Sequence, residues 1–332
     1  MKMIIPMAGK GTRLRPHTHT TPKPLMMVGG KIMLGEILDT LTSTSDQRFE
    51  EIGFILGDFD KEVQANLNQL LTGYNIRSSF FLQDPPLGTG HAIHQAKPLL
   101  NGEVLVAYAD TIFDADLSGL SDLDADGVIW VKEVENPKAY GVVVEENGII
   151  TRFVEKPTEP VSNKAIIGVY YFRKGEELAK ELDALIAENR TVKGEYQLTD
   201  ALEALVNRGF RFRTRTVRYW LDCGNVQNLL DTNRFLLGMN RHQAPASQVE
   251  NSVIIPPVFL APGAVVRNSV VGPNVSVGSG TTLDQCILSN SIINDHSRLS
   301  LVTAKDSIVG RNVSVEGPIR KLNVGDHTDI IN

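Results

Sequence analysis

Over about the first 240 residues, short apolar, β-branched runs recur at strand length: Met3 to Met7, Ile52 to Leu56, Val104 to Ala109, Val128 to Val131 and Gly141 to Val144. Between them lie segments with helical period. Val63, Leu67, Leu70 and Leu71 share one face ahead of Gly73, which reads as the glycine that stops a helix. In QLTDALEALVNRG, Leu198, Ala201, Leu202, Leu205 and Val206 share another face, and Gly209 ends it. Strands alternating with such helices predict an α/β fold, a Rossmann-like, mostly parallel sheet covered on both faces. In that architecture ligands sit at the carboxyl ends of the strands.

From Val253 the helical period gives way to one near six. VGPNVS, VGSGTT and LDQCIL follow one another directly, and VGRNVS returns at Val309. Val265, Val271, Val277 and Leu283 are spaced six apart, as in a parallel β-helix that turns one apolar side chain inward per flat face. A β-sandwich with frequent turns is the alternative. The period predicts about four coils, blurring between Asn294 and Lys305. RHQAPASQ, Arg241 to Gln248, reads as a linker. Two domains are therefore expected, residues 1–240 and 249–332.

Composition narrows the function. The chain has 332 residues, 42% hydrophobic and 22% charged, with a net charge of −6, which argues against a nucleic-acid partner. Any positive site must be local. Cys223 and Cys286 are too few for a disulfide framework. The opening MKMIIPM is too short for a signal segment and no apolar run approaches the ~20 residues of a membrane span, so a cytoplasmic protein without membrane association is expected.

The first strand opens into MAGKGTRLRPHTHTTPKP, Met7 to Pro24. This is neither GxxxxGK[ST] nor GxGxxG, since Leu14 stands where the third glycine belongs. Gly9 and Gly11 allow backbone N–H groups to approach an anion, and Lys10, Arg13, Arg15 and Lys23 supply cations within fourteen residues, on a chain stiffened by Pro16, Pro22 and Pro24. The pattern suits a polyphosphate cradle. His17 and His19 lack a third ligand and read as solvated.

GKGTRLRPHTHTTPKP resembles the G-x-G-T-R-L-x-P…P-K-P signature of the sugar-1-phosphate nucleotidylyltransferases. The resemblance continues, in order, through QDPPLGTGHAI from Gln83, VLVAYAD ending at Asp110, AYGVV around Gly141, VEKP at Glu155, IGVYYF at Gly168, KGEYQLTDA at Lys193 and WLDCGN at Trp220. It implies the nucleotide-diphospho-sugar transferase fold over 1–240, then a short left-handed β-helix, as in the longer glucose-1-phosphate thymidylyltransferases. It also implies the family reaction, in which a sugar 1-phosphate attacks the α-phosphorus of an NTP and pyrophosphate departs. The attacking phosphate is already mostly dianionic at neutral pH, so the reaction asks for fixed cations and donors rather than a general base.

By resemblance, Gly9, Gly11 and Thr12 meet the triphosphate, Arg13 assists departure of the β and γ phosphates, and Lys23 stabilises the α-phosphate. Asp110 and Asp222 hold Mg²⁺. Gln83 reads the base, Gly88 lets backbone approach it, and Thr89 lies beside it. Gly141, Glu155, Lys156 and Lys193 form the sugar-phosphate pocket, with Glu195 either orienting sugar hydroxyls or merely beginning a helix. Cys223 reads as packing rather than a nucleophile. Ala109 and Thr111 depart from the glycine and asparagine that flank the metal aspartate in many thymidylyltransferases, and PLGTGHA also resembles the uridylyltransferases acting on N-acetylglucosamine 1-phosphate. The expected pair is dTTP with glucose 1-phosphate. UTP with N-acetylglucosamine or glucose 1-phosphate, and GTP with mannose 1-phosphate, are alternatives. A catalytically silent sensor or scaffold is a rival, disfavoured by the joint presence of Arg13, Lys23, Asp110 and Asp222. Acetyl-CoA-dependent acyl transfer through His296 asks for a longer solenoid. The open end of a short β-helix exposes strand edges and predicts a homo-oligomer.

Overall fold

The computed structural model describes residues 1–57, 61–159, 161–239, 248–317 and 321–331. The chain forms two compact units, Met1–Gly9 with Ile37–Trp220, and Lys10–Glu36 with Leu221–Asn332. Among the described residues no helix is long and apolar enough to cross a membrane.

The first unit is built on a nine-stranded sheet. Its strands are β1 (Lys2–Pro6), β2 (Glu51–Leu56), β3 (Arg77–Leu82), β4 (Val104–Ala107), β5 (Gly127–Glu133), β6 (Gly141–Glu146), β7 (Ile149–Glu155), β8 (Lys164–Phe172) and β9 (Phe212–Thr216). The order is β7-β6-β8-β4-β1-β2-β3, with β5 pairing β8 and β9. Strands β4, β1, β2 and β3 are mutually parallel, as the alternation with helices predicts, whereas β8 runs antiparallel to β4, β5 and β6. The sheet is therefore mixed. Parallel strands buried on both faces read as unbroken apolar runs, and Met3, Ile4 and Ile5 are all fully buried. The core closes over Trp130, Tyr171 and Phe212, each at most 1% exposed.

The two sequence-marked helices form at Lys61–Leu71 and Leu198–Asn207, burying Val63, Leu67 and Leu71 in one and Leu198, Ala201, Leu202 and Leu205 in the other. Gly209 takes the left-handed conformation expected of a helix stop, at φ +91°. Gly73 does not. After Leu71 the left-handed residue is Asn75, at φ 55°, a role asparagine tolerates because its short amide can bond locally.

In the second unit a β-helix stacks six strands in one sheet, Gln248–Glu250, Val265–Arg267, Thr282–Asp284, Arg298–Ser300, Ser314–Glu316 and Asp329–Ile331. The stretch expected to blur, Asn294 to Lys305, instead carries regular parallel pairings, Thr282 to Arg298 and Ile287 to Thr303. The sequence period blurs because the coil shortens: Val265 faces Thr282, Thr282 faces Arg298 and Ser314 faces Asp329, steps of 17, 16 and 15 residues. Val271, Val277 and Leu283 point inward as expected, but the inward residue of the first member is Val266 rather than Val265. Of the expected linker, residues 241–247 lie outside the described residues, and Gln248 begins a strand.

Helix Val226–Gly238 packs on this β-helix, and its fully buried Asn233 serves as a polar hub. The Asn233 Oδ1 accepts from Gly29 N at 2.9 Å and from Ser276 Oγ at 2.7 Å. Gly30 comes so close to the β-helix that a Cβ there would fall 2.5 Å from the Phe259 ring. The segment Lys10–Glu36 is thus fastened to both the helix and the β-helix.

Candidate active site

The candidate residues divide between the two units. In the first, the parallel strands end together: Pro6 of β1 pairs with Ile55 of β2, and Leu56 with Leu82 of β3. Their carboxyl ends release Gly9 and Gln83, and the end of β4 releases Asp110, in the arrangement the crevice rule for open α/β sheets predicts. A Cβ at Gly9 would meet nothing within 4 Å, so its backbone faces open space. Asp110 is exposed.

Gln83 is buried, and its amide is oriented by its surroundings. Nε2 donates to Gly88 O at 2.9 Å and lies 3.2 Å from His91 Nδ1. The Gly88 carbonyl can only accept, so the amide NH₂ faces inward and Oε1 remains to accept from a ligand. Burial, with the nearby His94 imidazole, lowers the pKa of His91 and favours the neutral ring whose Nδ1 can accept. Gly88 is required for a reason the sequence does not show. At φ +107°, a Cβ there would fall 2.6 Å from Tyr196 O, so it admits the Tyr196 backbone. Thr89 accepts from Leu198 N at 3.0 Å and donates to Gln197 Oε1 at 3.2 Å, tying this turn to the helix Leu198–Asn207.

The expected sugar side clusters on β6 and β7. Gly141 and Glu155 are cross-strand partners, and a Cβ at Gly141 would meet Glu155 Oε2 at 2.9 Å. Glu155 accepts from Thr199 Oγ1 at 3.3 Å and pairs with Lys156 Nζ at 3.5 Å. Lys156 and Lys193 both hold positive φ, 44° and 55°, a conformation costly for a bulky side chain. Glu195 does not begin the helix, which starts at Leu198; its carboxylate accepts from Gln197 Nε2 at 2.9 Å.

Tyr108 belongs to this set although the motifs do not single it out. Burial holds its phenol protonated, and the Asp110 and Glu155 carboxylates push the same way. The one visible signal is an aromatic residue inside the otherwise aliphatic end of VLVAYAD. Its ring explains a glycine of IGVYYF, because a Cβ at Gly168 would sit 2.7 Å from Tyr108 Cδ2.

In the second unit, Gly11 at φ +56° leads the short turn Thr12–Leu14, which displays Thr12 and Arg13 to solvent over a buried Leu14. Lys23, on the turn Lys23–Leu25, is 9% exposed. The Arg13 guanidinium reaches Gly224, where a Cβ would fall 2.8 Å from both Arg13 Nη2 and Asp222 Oδ1. Asp222 is exposed and oriented by Gly224 N at 2.7 Å and Asn228 Nδ2 at 2.5 Å. Cys223 is fully buried, the packing role expected of it.

His17 departs from expectation: it is 3% exposed, with Nε2 2.9 Å from Asn323 Oδ1, and burial lowers its pKa against the opposing pull of Asn323 and Asp326. His19 is exposed. No group of three or more His, Cys, Asp or Glu suited to a metal occurs among the described residues. Asp110 and Asp222, the carboxylates expected to hold Mg²⁺, are both exposed.

A family model described as nucleotidyl transferase matches residues 2–238, and one described as GlmU-like, C-terminal hexapeptide matches residues 243–317. The bifunctional protein GlmU of Methanococcus aeolicus is 34% identical over 238 residues, covering 71% of this chain and 54% of that one. The chain thus spans about half the length of that relative. A glucose-1-phosphate thymidylyltransferase of Streptomyces griseus is 28% identical with 99% of this chain and 98% of its own covered. A UDP-glucose pyrophosphorylase solved with UDP-glucose superposes with a TM-score of 0.61 at 23% identity, over 72% of this chain and 98% of that one, a likeness of fold.

Proposed function

This chain belongs to the nucleotidyl transferase family, and on that premise we propose that it joins an NTP to a sugar 1-phosphate, giving a nucleotide-sugar and pyrophosphate. In this reading a phosphate oxygen of the sugar 1-phosphate forms a bond to the α-phosphorus while the bond to the bridging oxygen breaks. Pyrophosphate leaves with the electron pair. The observation that supports it most is the convergence of Arg13 and Asp222 on Gly224, which brings a guanidinium for the leaving phosphates to the same glycine as a carboxylate suited to a hard cation. Mg²⁺ would supply charge neutralisation on the phosphates, and Asp110 and Asp222 are the carboxylates that the resemblance assigns to it.

The chain's own residues divide the remaining work. Gly9, Gly11 and Thr12 offer backbone donors to the triphosphate, and Lys23 stabilises the α-phosphate. Gln83, with Gly88 and Thr89 fixing its turn, presents Oε1 to the N3–H that uracil and thymine carry and cytosine lacks. Glu155 across from Gly141 takes sugar hydroxyls, and Lys156 and Lys193 take the sugar phosphate.

Glucose 1-phosphate with dTTP is the proposed pair, supported by the full-length match to a glucose-1-phosphate thymidylyltransferase. UTP with N-acetylglucosamine 1-phosphate is the second, supported by PLGTGHA and the GlmU match. Pyrophosphate release across a panel of NTPs and sugar 1-phosphates tests both. The β-helix is proposed to join copies of the chain: Val253 and Ile287, 57% and 54% exposed, lie in one register column with Val270 between them. A light-scattering mass equal to one 36.4 kDa chain would contradict that.

A further inference from the structure

The β-helix ends where the signature loop is held. Thr20 Oγ1 donates to Asp326 Oδ2 at 2.7 Å, and Thr21 Oγ1 donates to the same oxygen at 3.3 Å. The other oxygen, Oδ1, accepts from the Arg311 backbone N at 2.6 Å, and the Arg311 guanidinium lies 3.5 Å from the carboxylate while donating to Thr21 Oγ1 at 3.0 Å. The Asp326 side chain is only 5% exposed. His17, three residues before Thr20, meets Asn323, three residues before Asp326. Pro16 lies against Gly325, where a Cβ would come within 3.1 Å of its ring. Every loop residue from Pro16 to Thr21 except Thr18 and His19 is thereby tied to the last two coils. Thr18 turns back instead, donating to Gly11 O at 2.8 Å.

These ties fall between the two cations the reaction needs. Arg13 lies two residues after Gly11, and Lys23 two residues after Thr21. Burial pushes the Asp326 carboxyl up, but the hydrogen bonds from Thr20 and Arg311 N and the Arg311 charge outweigh it and hold it below the ordinary range. The clasp is therefore anionic at neutral pH, with its acceptor oxygens facing donors. The Oδ1 bond repeats a corner of the β-helix itself, where Asp295 Oδ1 accepts from Ser279 N at 2.7 Å; what sets Asp326 apart is that its second oxygen turns to the loop.

We propose that the terminal coils of the β-helix are a positioning element for catalysis: Asp326, with Asn323 and Arg311, clasps the loop at His17, Thr20 and Thr21 and so fixes Arg13 and Lys23. The proposal rests on the nucleotidyl-transfer reading for its effect on rate, and not for the clasp itself. It assigns Asp326 and Thr20 as positioning residues that touch no substrate.

The test uses the full chain with Asp326→Ala, Asp326→Asn and, from the loop side, Thr20→Val. Two quantities are read: hydrogen exchange of residues 11–25, and steady-state kcat and KM for each substrate. The expected result for Asp326→Ala is at least tenfold faster exchange in the loop, with a kcat at least tenfold lower. The KM for the sugar phosphate should stay within twofold, because its proposed ligands lie on β6, β7 and the Lys193 turn. Asp326→Asn keeps an acceptor for Thr20 and should recover most of the rate. Thr20→Val, which leaves the β-helix side chains untouched, should reproduce part of the loss even if Asp326→Ala folds poorly. Unchanged loop exchange, or a loosened loop with wild-type kcat, would overturn the proposal. A wild-type protein inactive with every substrate pair, whose loop still loosens in Asp326→Ala, would refute the reaction while leaving the clasp standing.

Discussion

Replacing Gly224 by alanine should damage activity far more than stability. The added methyl would lie 2.8 Å from both Arg13 Nη2 and Asp222 Oδ1, and 3.3 Å from Arg13 Cζ. Ordinary contact begins near 3.4 Å, so each terminal atom must retreat by at least about 0.6 Å. Both belong to exposed side chains with room to move, and Gly224 does not hold a positive φ. The cost in folding is therefore small, a Tm shift within about 2 °C. The cost in rate is not. A misplacement approaching 1 Å is worth on the order of 100-fold, and loss of one fixed donor about 10²–10³-fold. A kcat reduced by about 10–100-fold is expected, together with a higher Mg²⁺ requirement because Asp222 moves as well. The assay is pyrophosphate release over a Mg²⁺ titration, alongside a thermal melt. A kcat within twofold of wild type in folded protein would refute the placement of Arg13 and Asp222 at the reacting phosphates.

Three further outcomes follow from the same geometry. His91→Phe removes the acceptor facing Gln83 Nε2, so the KM for the preferred NTP should rise about tenfold and discrimination against CTP should narrow; unchanged discrimination would show that Gly88 O alone orients the amide. Since burial lowers the pKa of His17 from 6.5, the unfolded chain takes up a proton that the folded site refuses, and stability should fall as pH drops below about 6.5, by up to ~1.4 kcal/mol per pH unit; Asp326, held low, contributes fully above the ordinary carboxylate range and loses that contribution as pH falls through it, so it does not add to the change near neutrality. Urea unfolding at pH 7.5 and 5.5 measures this, and His17→Gln should flatten the slope. Gly272→Ala should be the severe stability variant, losing more than about 3 kcal/mol, because φ is +115° and the Cβ would lie 1.9 Å from Ile255 O; a Tm near wild type would contradict the tightness of that coil.

What the sequence made legible was local. The apolar runs of β1 and β2 and the face of Leu198–Asn207 depend on neighbours within a few residues, and they formed where the periods placed them. The placement of the motif residues was legible for a related reason, since strand ends deliver Gly9, Gln83 and Asp110 directly from chain order. What escaped was long-range. His17 reads as solvated because its partner Asn323 is 306 residues away, and no local pattern reports such a contact. Gly88 looks like a ligand-side glycine until Tyr196 fills the space. The inward register at Val266 and the shortening coils slipped past a fixed period of six, because a β-helix tolerates a lost residue at a corner without changing what each flat face buries.

The most direct measurement is pyrophosphate release with Mg²⁺, testing dTTP, UTP, GTP, CTP and ATP against the 1-phosphates of glucose, N-acetylglucosamine, mannose and galactose, for the wild type and for Asp110→Ala and Asp222→Ala. Release should require one uracil or thymine nucleotide and one sugar phosphate, be highest with dTTP and glucose 1-phosphate, and be abolished in both variants. No release with any pair, from folded protein that still binds nucleotide, or near-normal release from either variant, would contradict it.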